Sequence, residues 1–226
     1  MLEKHRIGWL PEIFYIPEYI SVDDEERLCQ TIRASKAPWI KVSGRRLRNY
    51  GGTVHEKLGV LLQSPVPSWL QPLLRRLGED TQAFGPGLEA NHVLLNAYRP
   101  GEGIMPHQDG PLYHPGVCIL SLAAPAVMRF SRKRSSDDDT RAQGDFNSLV
   151  VSVALQPRSL LVFRGDAYTH CLHGIDEVEE EALDETVANR EALPDPEARV
   201  MKRGNERLSL TVRRVLRVKN ILGPRK

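Results

Sequence analysis

Between residues 91 and 218 the apolar positions recur at every second residue. HVLLNAY (92–98), VCILSLA (117–123), VMRFS (127–131), SLVVSVAL (148–155), SLLVFRG (159–165) and RLSLTVRRVLRV (207–218) are rich in Val, Leu and Ile, and each predicts a strand bounded by Pro-Gly or charged turns. The earlier part of the chain follows a longer period. Ser21 before Val-Asp-Asp-Glu-Glu is an N-cap with acids in the first turn, and predicts a helix over 22–34 with Val22, Leu28 and Ile32 as its thin apolar face. Trp69, Leu70, Leu73, Leu74 and Leu77 predict a second helix over 67–84, kinked near its start by Pro72. IFYIP (13–17) reads as a short strand, and KVSGRRLRNYGG (41–52) as a basic, aromatic-flanked loop or edge. Helices followed by many short strands imply an α+β chain on an antiparallel sandwich or jelly roll. The expected organisation is a helical and loop extension over 1–90, a β core over 91–218 and a basic tail over 219–226. The polar runs 132–147 and 176–205 are expected to be surface insertions, the second disordered in part.

Composition changes this picture little, and charge changes it more. The 226 residues are 41% hydrophobic and 27% charged, which suits a soluble domain long enough to bury a full core. Cys29, Cys118 and Cys171 are odd in number and lack C-x-x-C spacing, which argues against a disulfide framework or zinc-thiolate site and for a reducing compartment. The N-terminus carries charges where a signal peptide needs an apolar run, and the uncharged stretch 110–128 is broken by prolines, glycines and a histidine, so no membrane segment is expected. The formal net charge is +2, yet residues 176–197 hold ten acids and one base, a net −9, which leaves the other 204 residues at +11. A basic body with an acidic insert bears on partners, since positive charge attracts phosphates.

His107 and Asp109, in MPHQDG, project from one face of an extended segment about 6.6 Å apart, close enough to converge on one metal ion. A third ligand must come from far along the chain, and THCLHGI offers two, His170 and His173. Two histidines and one carboxylate form the facial triad of non-haem Fe(II) oxygenases. Alternation in the strand 207–213 places Arg207, Ser209, Thr211 and Arg213 on one face, where they line a cavity or meet water. In a cavity, the guanidinium fork suits a carboxylate. Asn96 and Tyr98 share a face on the strand before the H-x-D turn and need partners if buried.

The order N-x-Y, H-x-D, H-G-I and R-x-S-x-T-x-R resembles the AlkB family of Fe(II)- and 2-oxoglutarate-dependent dioxygenases. The likeness runs from about residue 12 to 218, through WIKVSGRRLRNYGG, NHVLLNAYRPGEGIMPHQDGPLYHP and PRSLLVFRGDAYTHCLHGI, and points to one eukaryotic branch. The resemblance implies a double-stranded β-helix with N-terminal helices packed on one side. It implies His107, Asp109 and His173 as iron ligands, Asn96 and Tyr98 on 2-oxoglutarate, Arg207 on its distal carboxylate and Arg213 near the chelating end. Ser209 stands where the bacterial pattern has Asn, and with Thr211 completes the cosubstrate face. The implied reaction uses Fe(II), 2-oxoglutarate and O2 for oxidative N-demethylation of alkylated DNA or RNA, presented single-stranded or as a flipped base. The same chemistry on a protein or small molecule, and nucleic-acid binding with weak turnover, are the alternatives. Arg45, Arg46, Arg48 and Tyr50 are the candidates for gripping a strand, with Tyr113 at the mouth of the site. The acidic insert is read as a loop near the site that mimics or competes with nucleic acid. A monomer in the nucleus and cytoplasm is expected.

Overall fold

Alternation sends every second side chain of a strand to the opposite face, and here both faces of the largest sheet are covered. The structure is a computed structural model that describes residues 2–132 and 151–220. In chain order its elements are β1 (Ile13–Ile16), α1 (Val22–Ala34), β2 (Ile40–Val42), β3 (Arg45–Tyr50), β4 (Gly52–His55), β5 (Val60–Gln63), α2 (Gln71–Thr81), β6 (His92–Tyr98), β7 (Ile104–His107), β8 (Gly116–Leu122), β9 (Ala126–Arg132), β10 (Val151–Leu155), β11 (Leu160–Arg164), α3 (Asp166–Thr169), β12 (Cys171–Ile175), β13 (Glu180–Ala182), β14 (Val200–Lys202), β15 (Arg207–Arg213) and β16 (Val218–Asn220).

A seven-stranded sheet in the order β1-β11-β8-β15-β6-β3-β2 faces a four-stranded sheet in the order β10-β9-β12-β7. The interior between them holds Ile13, Tyr15, Ile119, Leu161 and Phe163 from the large sheet against Met128, Phe130, Val151, Val153 and Ile175 from the small one. The outer face of the large sheet buries Phe14, Val93, Leu95, Leu120, Val162 and Leu210 beneath Ile32, Leu70, Leu74 and Leu77 of the helical region. Each fully buried Leu, Ile or Phe in these layers contributes about 1.5–3 kcal/mol. This is the jelly roll with helices on one side that the family resemblance implies, one of the two forms the strand pattern allows, and β1 to β3 of the N-terminal region are strands of its large sheet.

Several elements differ from their sequence patterns. Helix α1 keeps its bounds and its Ser21–Asp24 capping box, but its buried residues are Cys29 and Ile32, while Val22 is 53% exposed. Helix α2 begins at Gln71, so Pro72 lies in the first turn, where a missing N–H breaks no helical bond, and it does not act as a kink. Of the two alternatives for 41–52 the segment takes the edge: β2 and β3 form a hairpin in which β3 pairs with β6 and β2 ends the large sheet. The run 207–218 ends as a strand at Arg213; β16 then pairs in parallel with β5. The pattern overlooked β12 and β7, each short and rich in polar or small residues. Residues 133–150, which hold most of the first insertion and the start of β10's predicted span, lie outside the described range, as does the tail from 221.

The second insertion is ordered. Leu183, Val187 and Leu193 bury themselves against Val127 and Ala154 on the outer face of the small sheet. Asn189 clamps β10 through both backbone groups of Ala154, each at 2.9 Å. Strands β13 and β14 pair, and Arg203 meets Glu181 at 2.5 Å with both side chains almost wholly buried. A segment with ten acids folds here because its few apolar residues find a vacant sheet face and its innermost acid is paired.

Candidate functional site: a metal centre and anion pocket between the sheets

His107 closes β7 and His173 lies on β12, and the register makes the two direct cross-strand partners. Their ring centroids are 4.4 Å apart. Gly174 lets the strands meet this closely, because a Cβ there would come 2.9 Å from the Ile104 carbonyl oxygen and 3.0 Å from the Pro106 nitrogen. A register shift between His173 and Ile175 leaves an additional residue on β7 and re-aims its end. Asp109 follows in the turn, and one donor atom from each of His107, Asp109 and His173 lies within 4.8 Å of the others. His170, the other candidate, is exposed and turned to Asp166 at 3.9 Å, away from this cluster.

The donors are in the protonation states a cation needs. His107 Nδ1 lies 2.9 Å from the Met105 carbonyl; that oxygen can only accept, so Nδ1 carries the proton and Nε2 the lone pair. Burial, with the nearby Arg213 charge, depresses His173 to about 4 and keeps it neutral. Burial alone raises the Asp109 carboxyl, but Arg213, His173 and His107 outweigh it and hold the group below its ordinary value. Asp109 Oδ1 accepts from Arg213 Nη1, whereas Oδ2 is buried with no hydrogen-bond partner. An ionised oxygen with no partner, beside two imidazole lone pairs, is a cation site by the chemistry of its donors.

The polar face of β15 lines the interior. Arg207 stands opposite Tyr98 and Ser209 opposite Asn96 on β6, while Ser209 also faces Ser121 on β8. Asn96 accepts from Arg45 Nε at 3.1 Å and donates to Thr211 Oγ1 at 3.4 Å. Arg207 is 2% exposed; Nη2 donates to Ser121 Oγ at 2.8 Å, and Nε has no partner. Among the described residues no carboxylate lies within ion-pair distance of it, and burial lowers its pKa to about 10. A buried guanidinium in this state is unfavourable alone and calls for an anionic ligand.

The expected strand-gripping residues divide. Alternation along β3 places Arg45 on the interior face, against Asn96, and Arg46, Arg48 and Tyr50 on the helix face. Arg48 is buried and donates to the carbonyls of Ile32 at 2.8 Å and Ser35 at 3.3 Å, satisfying orphan groups at the end of α1. Arg46 pairs with Glu206 and, like Arg48, lies over Trp39; Tyr50 meets Trp69 edge-on. Tyr113 is not at a mouth either: its ring is buried, 4.2 Å beneath the Arg213 guanidinium. His92, assigned no role from the sequence, stands opposite Arg213 in the β6/β15 register, packs near Tyr113 at 6.0 Å, and is depressed to about 3 by burial and Arg213. Ser121 was also overlooked; a lone Ser in a strand of apolar residues was its only signal.

A family model described as the 2OG-Fe(II) oxygenase superfamily matches residues 48–213. The probable RNA/DNA demethylase ALKBH6 of Danio rerio is 39% identical over 219 residues, covering 96% of this chain and 92% of that protein. The chain belongs to this superfamily, as an AlkB-type oxygenase. The alkylated DNA repair protein ALKBH8 homolog of Arabidopsis thaliana is 28% identical over 228 residues, covering 91% of this chain and 59% of its relative. Among solved structures, OsALKBH1 superposes with a TM-score of 0.57 at 16% identity over 92% of this chain and 100% of the other, and a Pseudomonas putida prolyl-4-hydroxylase with 0.53 at 12% identity over 90% and 92%. These two matches establish the jelly-roll fold. An AlkB-type 2OG-Fe(II) oxygenase is a dioxygenase that uses Fe(II), 2-oxoglutarate and O2.

Proposed function

We propose that this oxygenase removes N-methyl groups from alkylated bases in single-stranded or locally opened DNA or RNA. The observation that carries the site assignment is the pairing of a three-donor cluster with a buried Asp109 oxygen and a buried Arg207 that, among the described residues, have no hydrogen-bond and no carboxylate partner respectively. His107, Asp109 and His173 hold Fe(II). Arg207 and Ser121 receive the distal carboxylate of 2-oxoglutarate, with Tyr98, Asn96, Ser209 and Thr211 along the same face. When bound, iron and cosubstrate supply the oxidation of the methyl group by O2, with succinate and CO2 as co-products and formaldehyde released from the hydroxylated methyl.

The chain's own part is positional. Arg213 fixes the Asp109 carboxylate and keeps it ionised. Arg45 orients Asn96. The apolar interior around Phe130 and Phe163, in ring contact with His173, limits water at the site.

The nucleic-acid substrate is supported by the names of the two eukaryotic relatives, one a probable RNA/DNA demethylase and the other an alkylated DNA repair protein homolog, and by the +11 body. On this reading the enzyme is a monomer that works in the nucleus and cytoplasm. The test is formaldehyde release from a panel of N-methylated oligonucleotides and N-methylated lysine peptides. Turnover confined to oligonucleotides supports the proposal; turnover confined to peptides overturns the substrate class.

A further inference from the structure

The chain has three tryptophans. Trp39 is covered by Arg46 and Arg48, and Trp69 meets the edge of Tyr50. Trp9 is 56% exposed and has no ring or guanidinium contact among the described residues. Its placement is nonetheless fixed. Residues 7–13 form a loop closed by the Ile7 N–H to the Ile13 carbonyl at 3.0 Å and by a bridge between Arg6 and Phe14. Gly8 turns the loop with φ 68°, where any side chain would be strained and would crowd Ala188 and Val151. Leu10 is buried and Pro11 narrows the backbone further. The loop therefore holds a large apolar ring in water at the rim of a cleft.

Trp9 lines a cleft of about 180 Å³ with Pro11, Arg132, Asp166, His170 and Cys171. This volume is below that of pockets enclosing a whole small molecule, so the cleft acts as an open platform. Asp166, the acid of the lining, is turned to His170 at 3.9 Å; the exposed Arg132 has no carboxylate partner among the described residues. The cleft borders the metal cluster. Cys171 and His173 lie two apart on one face of β12, about 6.6 Å along the strand. Helix α3 is tied to the H-x-D turn by Tyr168 Oη donating to the Gly110 carbonyl and Gln108 Nε2 to that of Thr169, each at 2.7 Å.

We infer that this cleft is the subsite for the strand next to the target base: Trp9 stacks a neighbouring base, and Arg132 and His170 meet its phosphate. A planar ring beside a cation with no carboxylate partner among the described residues suits single-stranded nucleic acid. The inference rests on the nucleic-acid reading above, and supplies the grip that Arg46, Arg48 and Tyr50, turned to the helices, do not.

The test is anisotropy of a labelled, N-methylated single-stranded oligonucleotide at fixed salt, with Trp9→Ala, Trp9→Phe and Arg132→Gln variants whose folding is verified by thermal unfolding. Trp9→Ala should weaken binding roughly 5- to 150-fold, and Trp9→Phe should retain most of the affinity. Arg132→Gln should reduce the salt slope by about 0.7. Turnover of a methylated nucleoside, too short to reach the cleft, should be unchanged in Trp9→Ala. Wild-type affinity in a folded Trp9→Ala variant overturns the subsite and leaves the demethylase reading intact. Failure of the wild type to bind any oligonucleotide overturns both, and loss of nucleoside turnover in Trp9→Ala overturns the subsite by revealing damage to the site itself.

Discussion

Arg213 donates to Oδ1 of Asp109 with both side chains buried, and the Tyr113 ring lies 4.2 Å across the guanidinium. The arginine is thus held by an aromatic face while it holds the carboxylate, and Asp109 presents its second oxygen, Oδ2, without a partner. Replacing Arg213 with Gln removes a charge that keeps Asp109 ionised. The expected result is a loss of metal affinity or activity of about 10- to 100-fold, and a rise in the pH at which metal is released. Metal titration at several pH values checks this, and an unchanged pH dependence contradicts it.

Among the described residues Arg207 donates to Ser121 and has no carboxylate within ion-pair distance, and the proposed reading gives it the distal carboxylate of 2-oxoglutarate. Arg207→Gln should raise the KM for 2-oxoglutarate on the order of 30-fold or more, the cost of removing one side of a buried charge pair. Fe(II) binding without cosubstrate should change little. Steady-state kinetics with varied 2-oxoglutarate decide the matter.

His92 and His173 lie at about 3 and about 4 in the fold against 6.5 ordinarily, with burial the chief cause. Below pH 6.5 the unfolded chain takes up protons that the folded chain refuses, so stability is present above that pH and falls as pH drops toward 4 and then 3. The depressed Asp109 carboxyl adds to the loss at the acid end, because it too must be protonated. The melting temperature of the metal-free protein should decline through this window, and His92→Gln should flatten part of the slope. A melting temperature constant across the window would argue against buried neutral histidines.

The Arg203–Glu181 pair fastens the acidic insert, and Arg203 also donates to the carbonyls of Glu102 and Asp176. Arg203→Met leaves a buried carboxylate without its ion-pair partner and should cost about 3–5 kcal/mol, part of which Arg203→Met with Glu181→Leu should restore, the Val127 N–H and the Glu102 and Asp176 carbonyls still losing their partners. Denaturant unfolding of the two variants measures this. Equal stability of the single variant and the wild type would show that the insert is not anchored there.

Much of this site was legible because its chemistry lies on short, regular spacings. H-x-D and R-x-S-x-T-x-R state which side chains share a face, and Asn96 with Tyr98 does the same on the paired strand. The remainder depends on register and on partners distant in sequence. Arg45 and Arg46 are neighbours in the chain, and only the pairing of β3 with β6 decides that one faces Asn96 and the other Trp39. The acidic insert looked unstructured because Leu183, Val187 and Leu193 are sparse, and the surface they cover belongs to β9 and β10. His92 gave no signal, since its meaning comes from Arg213, which lies opposite it.

On the proposed reading, His107, Asp109 and His173 serve an oxygenase acting on methylated nucleic acid. The most direct test of that reading is quantification of succinate and formaldehyde when the enzyme, Fe(II), 2-oxoglutarate and O2 meet matched methylated and unmethylated single-stranded oligonucleotides. Formaldehyde and oligonucleotide-stimulated succinate should form in equal amounts with the methylated strand alone, and neither in a His107→Ala variant. Oligonucleotide-independent succinate without formaldehyde, or full activity in that variant, would contradict the reading.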